Sequence, residues 1–145
     1  LVNISEKEGH IRWISWGSNI SGINSGVKFE VDKIYSIVSL GFYNYYLNKG
    51  AALSYAGYYG VYLFQDTSSF SIDLGYMYVD NKKIFSSTPD EADQHVIMTR
   101  GLMSIALSSQ VSLVGGGGLS YIVDRHRSFD RGEVYPIFFF GVEVY

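Results

Sequence analysis

Side chains alternate with a period of two through most of this chain. Between residues 53 and 63 the odd positions read Leu, Tyr, Gly, Tyr, Val and Leu, and the even positions between them read Ser, Ala, Tyr, Gly and Tyr. Successive side chains of a β-strand point to opposite faces, so this alternation predicts strands that differ on their two faces. The composition agrees, because thirteen tyrosines and nine phenylalanines favour strands.

Turn residues divide the pattern into eight strands. We predict strands at residues 10–19, 23–31, 34–47, 51–64, 69–79, 95–107, 111–123 and 133–145. Tight turns at residues 32–33, 65–68 and 108–110 alternate with longer connections, including residues 80–94 and 124–132. We expect residues 1–9 to be a polar N-terminal tail and residues 10–145 to form a single domain. This order of connections is typical of an antiparallel up-and-down barrel, with the long loops at one end.

One stretch allows a different interpretation. Residues 101–123 carry no charge and are long enough for a membrane-spanning helix. However, the stretch contains five glycines and five serines, and residues 108–110 form a turn signal at its middle. We therefore favour two strands over one helix.

The distribution of charge separates two kinds of barrel. Soluble barrels are charged outside, whereas membrane barrels are apolar outside. The last six predicted strands contain only four charged residues, Asp73, Arg100, Glu133 and Glu143. The sequence therefore predicts an all-β fold, a closed eight-stranded antiparallel up-and-down transmembrane β-barrel. The net charge of −3 gives no sign of a nucleic-acid partner, and the absence of cysteine excludes disulfides and thiolate metal sites.

The C-terminal strand is aromatic and ends on Tyr145. Together with the strand count and the loop asymmetry, it resembles the small eight-stranded outer-membrane barrels of bacteria. The resemblance implies location in the bacterial outer membrane, the lipid bilayer as a partner, and recognition of the last strand by the barrel-assembly machinery. Lipopolysaccharide or another anionic lipid is a further candidate partner. Tyr135, Ile137, Phe139 and Tyr145 fit the terminal pattern, whereas Gly141 and Glu143 depart from it.

Six charged residues alternate with apolar ones inside predicted strands. Charge is costly on a lipid-facing surface, so we expect all six to point into the lumen and to form pairs. Glu143 and Glu30 are expected near Arg12, and Asp73 near Arg100. A lumen of eight strands is narrow enough to be filled by such side chains. A gated ion path is the second interpretation. The six residues are Arg12, Lys28, Glu30, Asp73, Arg100 and Glu143.

The faces of the predicted strands give two further expectations. First, a run of large residues should face lipid, namely Leu53, Tyr55, Tyr59, Val61, Leu63, Phe70, Ile72 and Leu74. Second, four consecutive glycines at residues 115–118 leave a gap that an aromatic ring on the last strand should cover. Folding the last hairpin about residues 128–129 places Gly117 opposite Phe140 and Gly118 opposite Phe139. Pro136 lacks a backbone donor, which predicts a bulge or the barrel rim at that residue.

The loop between the last two strands contains the candidate catalytic residues. His126 and Ser128, with Glu133 as the acid, are similar to the His-x-Ser pair of outer-membrane lipid A deacylases. The family has Asn after the serine where this chain has Phe129, and the acid is spaced differently. Alternatively, the loop is a solvated basic segment in which Arg125, Arg127 and Arg131 contact anionic headgroups or another ligand.

No metal or cofactor is indicated. His10, His95 and His126 are far apart and share no ligand spacing. The sequence therefore favours a non-enzymatic outer-membrane barrel with a filled lumen. Its role is membrane-structural or surface interaction through residues 80–94 and 124–132, with an unknown host or surface ligand. The alternatives are a hydrolase similar to the lipid A deacylases and a soluble lipocalin-like carrier of an apolar ligand.

Overall fold

The computed structural model describes residues 10–19, 22–43, 52–80, 94–124 and 134–145, without the side chains of residues 43, 52, 80, 94 and 122–124. These residues form eight antiparallel strands, each paired with the next, and the last strand pairs with the first to close a barrel. The fold predicted from the sequence is thus confirmed. No helix in the described ranges is long and apolar enough to cross a membrane. The strands are β1 (His10–Ser18), β2 (Gly22–Val31), β3 (Ile34–Tyr43), β4 (Ala52–Gln65), β5 (Ser68–Asp80), β6 (Gln94–Ala106), β7 (Val111–Asp124) and β8 (Val134–Val144).

The three tight turns lie together at one end, here called the turn end. Between β2 and β3, Asp32 adopts a positive φ of 57°, a conformation that aspartate tolerates better than most residues. Between β4 and β5, the amide of Asp66 donates to the carbonyl of Ser68 at 2.8 Å. Between β6 and β7, the hydroxyl of Ser108 accepts from the amide of Val111 at 3.1 Å. The opposite end, where β1, β3, β5 and β7 finish, is the loop end.

The two faces of each strand have opposite environments. All eight residues expected to face lipid lie on the outer face. Tyr59 is 62% exposed and Leu74 is 60% exposed, whereas Leu53, Val61 and Phe70 are half-buried. The inner positions of the same strands are buried, including Tyr58 on β4 and Asp73 on β5. The period of two therefore predicted the direction of these side chains correctly.

The register of the last hairpin differs from the predicted one by two residues. Gly117 lies opposite Phe138 and Gly115 opposite Phe140. The prediction assumed a symmetric fold about residues 128–129, which lie outside the described residues. Ladder pairing and barrel closure set the register, and a shift of two leaves every side chain on its predicted face.

Aromatic rings lie beside the glycines as expected. A Cβ placed on Gly115 would lie 3.5 Å from Cδ1 of Phe140, and one on Gly117 would lie 3.6 Å from Cδ1 of Phe138. On the inner side, a Cβ on Gly116 would overlap the carbonyl oxygen of Gly101. The glycines thus allow both close approach of β6 to β7 and coverage by rings of β8.

The seam between β1 and β8 is the shortest ladder of the barrel, with six residue pairs from Trp13–Val144 to Ser18–Phe139. The side chain of Asn19 continues it. Its Oδ1 accepts from the amide of Phe138 at 2.8 Å, and its Nδ2 donates to the carbonyl of Pro136 at 3.1 Å. Pro136 therefore lies beyond the β1–β8 ladder, at the rim, where its missing backbone donor costs no ladder hydrogen bond.

Candidate functional site

The six charged residues predicted to face the lumen all lie on inner positions. Three are cationic and three anionic, so their formal charges cancel. Five are 4% exposed or less, and Arg12 is partly exposed, with 17% of its side chain accessible. Buried charges persist only when they are paired and hydrogen-bonded, so their partners define the site. We call the six residues the lumen network.

One half of the lumen network lies towards the turn end. Arg12 contacts Glu30 through Nε at 2.6 Å and Glu143 through Nη1 at 3.0 Å. Lys28 contacts the other carboxylate oxygen of Glu143, also at 3.0 Å. The pairs join β1, β2 and β8 across the closing seam, so this group stabilises the position at which the barrel closes.

The second half consists of Asp73 and Arg100, which are directly opposite each other on β5 and β6. The guanidinium donates twice, from Nε to Oδ1 at 2.9 Å and from Nη2 to Oδ2 at 2.7 Å. Three aromatic rings surround it. Its central carbon lies 3.8 Å from the ring centroid of Tyr58, 4.8 Å from that of Phe139 and 5.3 Å from that of Trp16. Arginine is well suited to this position because its planar group binds a carboxylate with two nitrogens and stacks on rings.

Two tyrosines connect the halves. The hydroxyl of Tyr35 donates to Asp73 at 2.9 Å, and Nζ of Lys28 lies 4.4 Å from the centroid of the same ring. The hydroxyl of Tyr62 donates to Glu30, and its ring packs on Tyr35 with centroids 5.1 Å apart. The two ion-pair groups therefore belong to one connected network that crosses the lumen.

Sequence analysis did not predict this role for the tyrosines. The period of two assigns Tyr62 to the inner face, the same face as the charges, and that was the available signal. However, its hydrogen bond runs from β4 to β2 and that of Tyr35 runs from β3 to β5, and neither pair of strands is adjacent. Contacts between strands that do not pair cannot be read from alternation alone.

The network reaches the turn-end mouth of the lumen. The ring of Tyr145, just beyond the end of β8, lies 4.0 Å from the guanidinium carbon of Arg12. Burial raises the pKa of the Tyr145 hydroxyl, and the positive charge of Arg12 opposes that rise. The neutral ring thus covers the most accessible cation of the network.

Apolar side chains fill the lumen towards the loop end. Met77, Val79, Val96 and Met98 come from β5 and β6 and are each 2% exposed or less. Since the charges are neutralised in pairs and these four inner side chains are fully buried, the arrangement suits a closed lumen better than an open water-filled one. The lipocalin-like alternative required the aromatic faces to line a cavity, but Tyr55 and Tyr59 lie on the outside.

The catalytic alternative falls outside the described residues. That applies to His126, Ser128 and Glu133, to Arg125, Arg127 and Arg131, and to most of the two long loops. The other two histidines are described and lie far apart, His10 at the turn end and His95 at the loop end. The described ranges contain no group of three or more His, Cys, Asp or Glu that could hold a metal ion.

Comparison with solved structures identifies a similar barrel. The chain matches the crystal structure of the N-terminal β-barrel domain of Pseudomonas aeruginosa OprF with a TM-score of 0.66 and 10% sequence identity. The match covers 94% of this chain and 98% of that domain. No family model matches the sequence, and no curated protein matches it. The similarity is one of fold, and the resemblance to the small eight-stranded outer-membrane barrels is confirmed at that level.

Proposed function

We propose that this protein is an integral outer-membrane β-barrel with a closed, non-conducting lumen, and that it acts in membrane structure or in surface interaction through its long loops. The lumen network is the observation that carries the proposal. Six charges neutralise one another inside a barrel whose outer face is apolar. A soluble protein would have the opposite distribution.

The outer face supports insertion into a bilayer. Large exposed hydrophobic residues occur on all eight strands, from Ile11 at 65% on β1 to Phe138 at 64% on β8. A continuous apolar surface of this kind is stable in contact with lipid but promotes aggregation in water. Strands of 9 to 14 residues are long enough to cross the hydrocarbon core when tilted.

The lumen supports a structural role over transport. A conducting path would require the ion pairs of Arg12, Lys28 and Arg100 to separate in a buried setting. Breaking such a pair leaves an uncompensated charge and is strongly unfavourable. A gated ion path therefore requires a rearrangement of the network, whereas a plug requires only the contacts already described.

Because the lumen is closed, we expect the long loops to make the contacts with other molecules. We place these at residues 80–94 and 124–132, where Arg125, Arg127 and Arg131 would contact lipopolysaccharide, another anionic lipid or a surface ligand. The fold supports residence in the bacterial outer membrane. Insertion there would depend on the barrel-assembly machinery, as for other barrels of this architecture.

The test is insertion followed by conductance. The purified chain should refold only with detergent or phospholipid vesicles, and the folded barrel should migrate differently on a gel before and after boiling. In planar bilayers it should pass no large, steady current. Large stable channels formed by the wild type would overturn the closed lumen, and a chain that folds fully without detergent or lipid would overturn the membrane assignment.

A further inference from the structure

His95 is an ionisable residue on the outer face of the barrel. It is the second residue of β6, close to the loop end, and it lies directly opposite Tyr78 of β5. Apart from tyrosines, it is the only titratable side chain on the outer face of the strands among the side chains that the structure describes. An ionisable residue within a membrane-facing surface is costly and therefore usually serves a function.

Tyrosines of neighbouring strands hold the imidazole in place. The hydroxyl of Tyr76 is hydrogen-bonded to Nδ1 of His95. The ring of Tyr78 lies 5.4 Å from the imidazole, and that of Tyr76 lies 5.7 Å from it, centroid to centroid. Tyr55 of β4 then stacks on Tyr78 at 6.3 Å. The three tyrosines and His95 form an aromatic patch across β4, β5 and β6.

The patch leaves one ring nitrogen for another molecule. Nδ1 is engaged by Tyr76, so Nε2 is the nitrogen that no hydrogen bond within the described part of the chain uses. On β7 the paired residue is Val123, which does not titrate. Among the described side chains, the titratable groups that face His95 are therefore the tyrosines of the patch.

We propose that this patch binds the phosphate of an anionic lipid headgroup in the leaflet at the loop end, with protonated His95 as the contact. The inference rests on the proposed function, because it requires the barrel to span a bilayer. Tyrosines at the ends of membrane-spanning strands lie at the level of the lipid headgroups. The anionic group of those headgroups is phosphate. Tyr76 fixes the ring orientation and is a positioning residue.

The proposal predicts lipid selectivity that depends on pH. Histidine ordinarily changes charge between about pH 5 and pH 8. We expect the folded barrel in mixed micelles to retain phosphatidylglycerol in preference to phosphatidylcholine. This preference should be about fivefold greater at about pH 5.5 than at about pH 8, because one positive charge beside an anionic membrane has an effect of about that size. Native mass spectrometry of the full chain measures the retained lipid.

Four variants separate the patch from general charge effects. His95→Gln should remove the increase at low pH, and His95→Lys should give high retention at both pH values. Tyr76→Phe should lower retention while preserving its pH dependence. His10→Gln, which changes a histidine at the opposite end of the barrel, should behave as the wild type.

Three outcomes would overturn the proposal. One is equal retention by His95→Gln and wild type at low pH, and another is loss of the pH effect in His10→Gln. The third is displacement of phosphatidylglycerol by millimolar inorganic phosphate, which would assign the site to a soluble anion. The mobility of the unboiled barrel on a gel reports insertion separately. A chain that fails to insert contradicts the proposed function, whereas an inserted barrel without selectivity contradicts only the headgroup site.

Discussion

Arg100 and Asp73 face each other on β6 and β5 and form two hydrogen bonds, of 2.9 and 2.7 Å, inside the barrel. Their side chains are 3% and 0% exposed, so neither charge is solvated by water. The pair forms at mid-height of both strands, where a charge on the outer face would be least tolerated.

Removing one member of this pair should be more harmful than removing both. Asp73→Asn leaves the Arg100 charge buried without a counter-ion and should lower the free energy of unfolding by about 3–5 kcal/mol. The double variant Asp73→Leu with Arg100→Met replaces both charges by apolar groups and should recover most of that loss. Urea unfolding in phospholipid vesicles measures both. Equal losses in the two variants would mean that the ion pair is not the source of the effect.

The hydroxyl of Tyr35 should contribute measurably to stability, because it links the two halves of the lumen network. Tyr35→Phe removes hydrogen bonds to Asp73 and Ser71 while keeping the ring, and should cost about 1–3 kcal/mol. Tyr59→Phe is the matched control, since Tyr59 faces outward and is 62% exposed. It should leave the unfolding midpoint unchanged. If Tyr59→Phe lost as much stability as Tyr35→Phe, the effect could not be assigned to the hydrogen bonds in the lumen.

Glycine at position 117 should be required for the packing of β7 against β8. A Cβ there would lie only 2.9 Å from the carbonyl oxygen of Ile137 and in contact with the ring of Phe138 at 3.6 Å, so the larger side chain of Gly117→Val should cost about 1–3 kcal/mol. At Gly57, also on the outer face, the nearest atom to a new Cβ is the carbonyl oxygen of Ile37 at 3.9 Å. Gly57→Val should therefore be tolerated. Similar unfolding midpoints for the two variants would contradict the register of the last hairpin.

A charge introduced on the outer face should lower the stability of the barrel by an amount that depends on its depth in the bilayer. Leu74 is the middle residue of β5 and Leu63 lies near the turn end of β4, with exposures of 60% and 58%. In vesicles, Leu74→Arg should cost about 2–4 kcal/mol and Leu63→Arg about 0–1 kcal/mol. The comparison holds exposure constant and varies depth. Two equally small effects would indicate that this face meets water.

The alternation of the sequence was sufficient to predict the architecture. It predicted eight strands, the three tight turns, the outward direction of the large residues on β4 and β5 and the inward direction of the six charges. It also predicted that Arg12 would be near Glu30 and Glu143, and that Asp73 would be near Arg100, because those residues are on strands adjacent in a closed barrel. These predictions depend only on the order of the strands and on the period of two.

Register and contacts across the lumen required the tertiary structure. The predicted pairing of Gly117 with Phe140 was wrong by two residues, yet both residues kept their faces, since a shift by one full period preserves alternation. The hydrogen bonds from Tyr35 to Asp73 and from Tyr62 to Glu30 join strands that are not neighbours. Such contacts depend on how far the strands tilt and how narrow the closed lumen becomes.

The sequence by itself determined which residues point inward and which outward, because that property is local to each strand. The tertiary structure alone decided which inward residues meet, and which outward residues gather into a patch such as that of His95 and its tyrosines. Closure of the barrel supplies the reason. It fixes the stagger between all eight strands at once, so residues that are distant in sequence acquire neighbours that no single strand specifies.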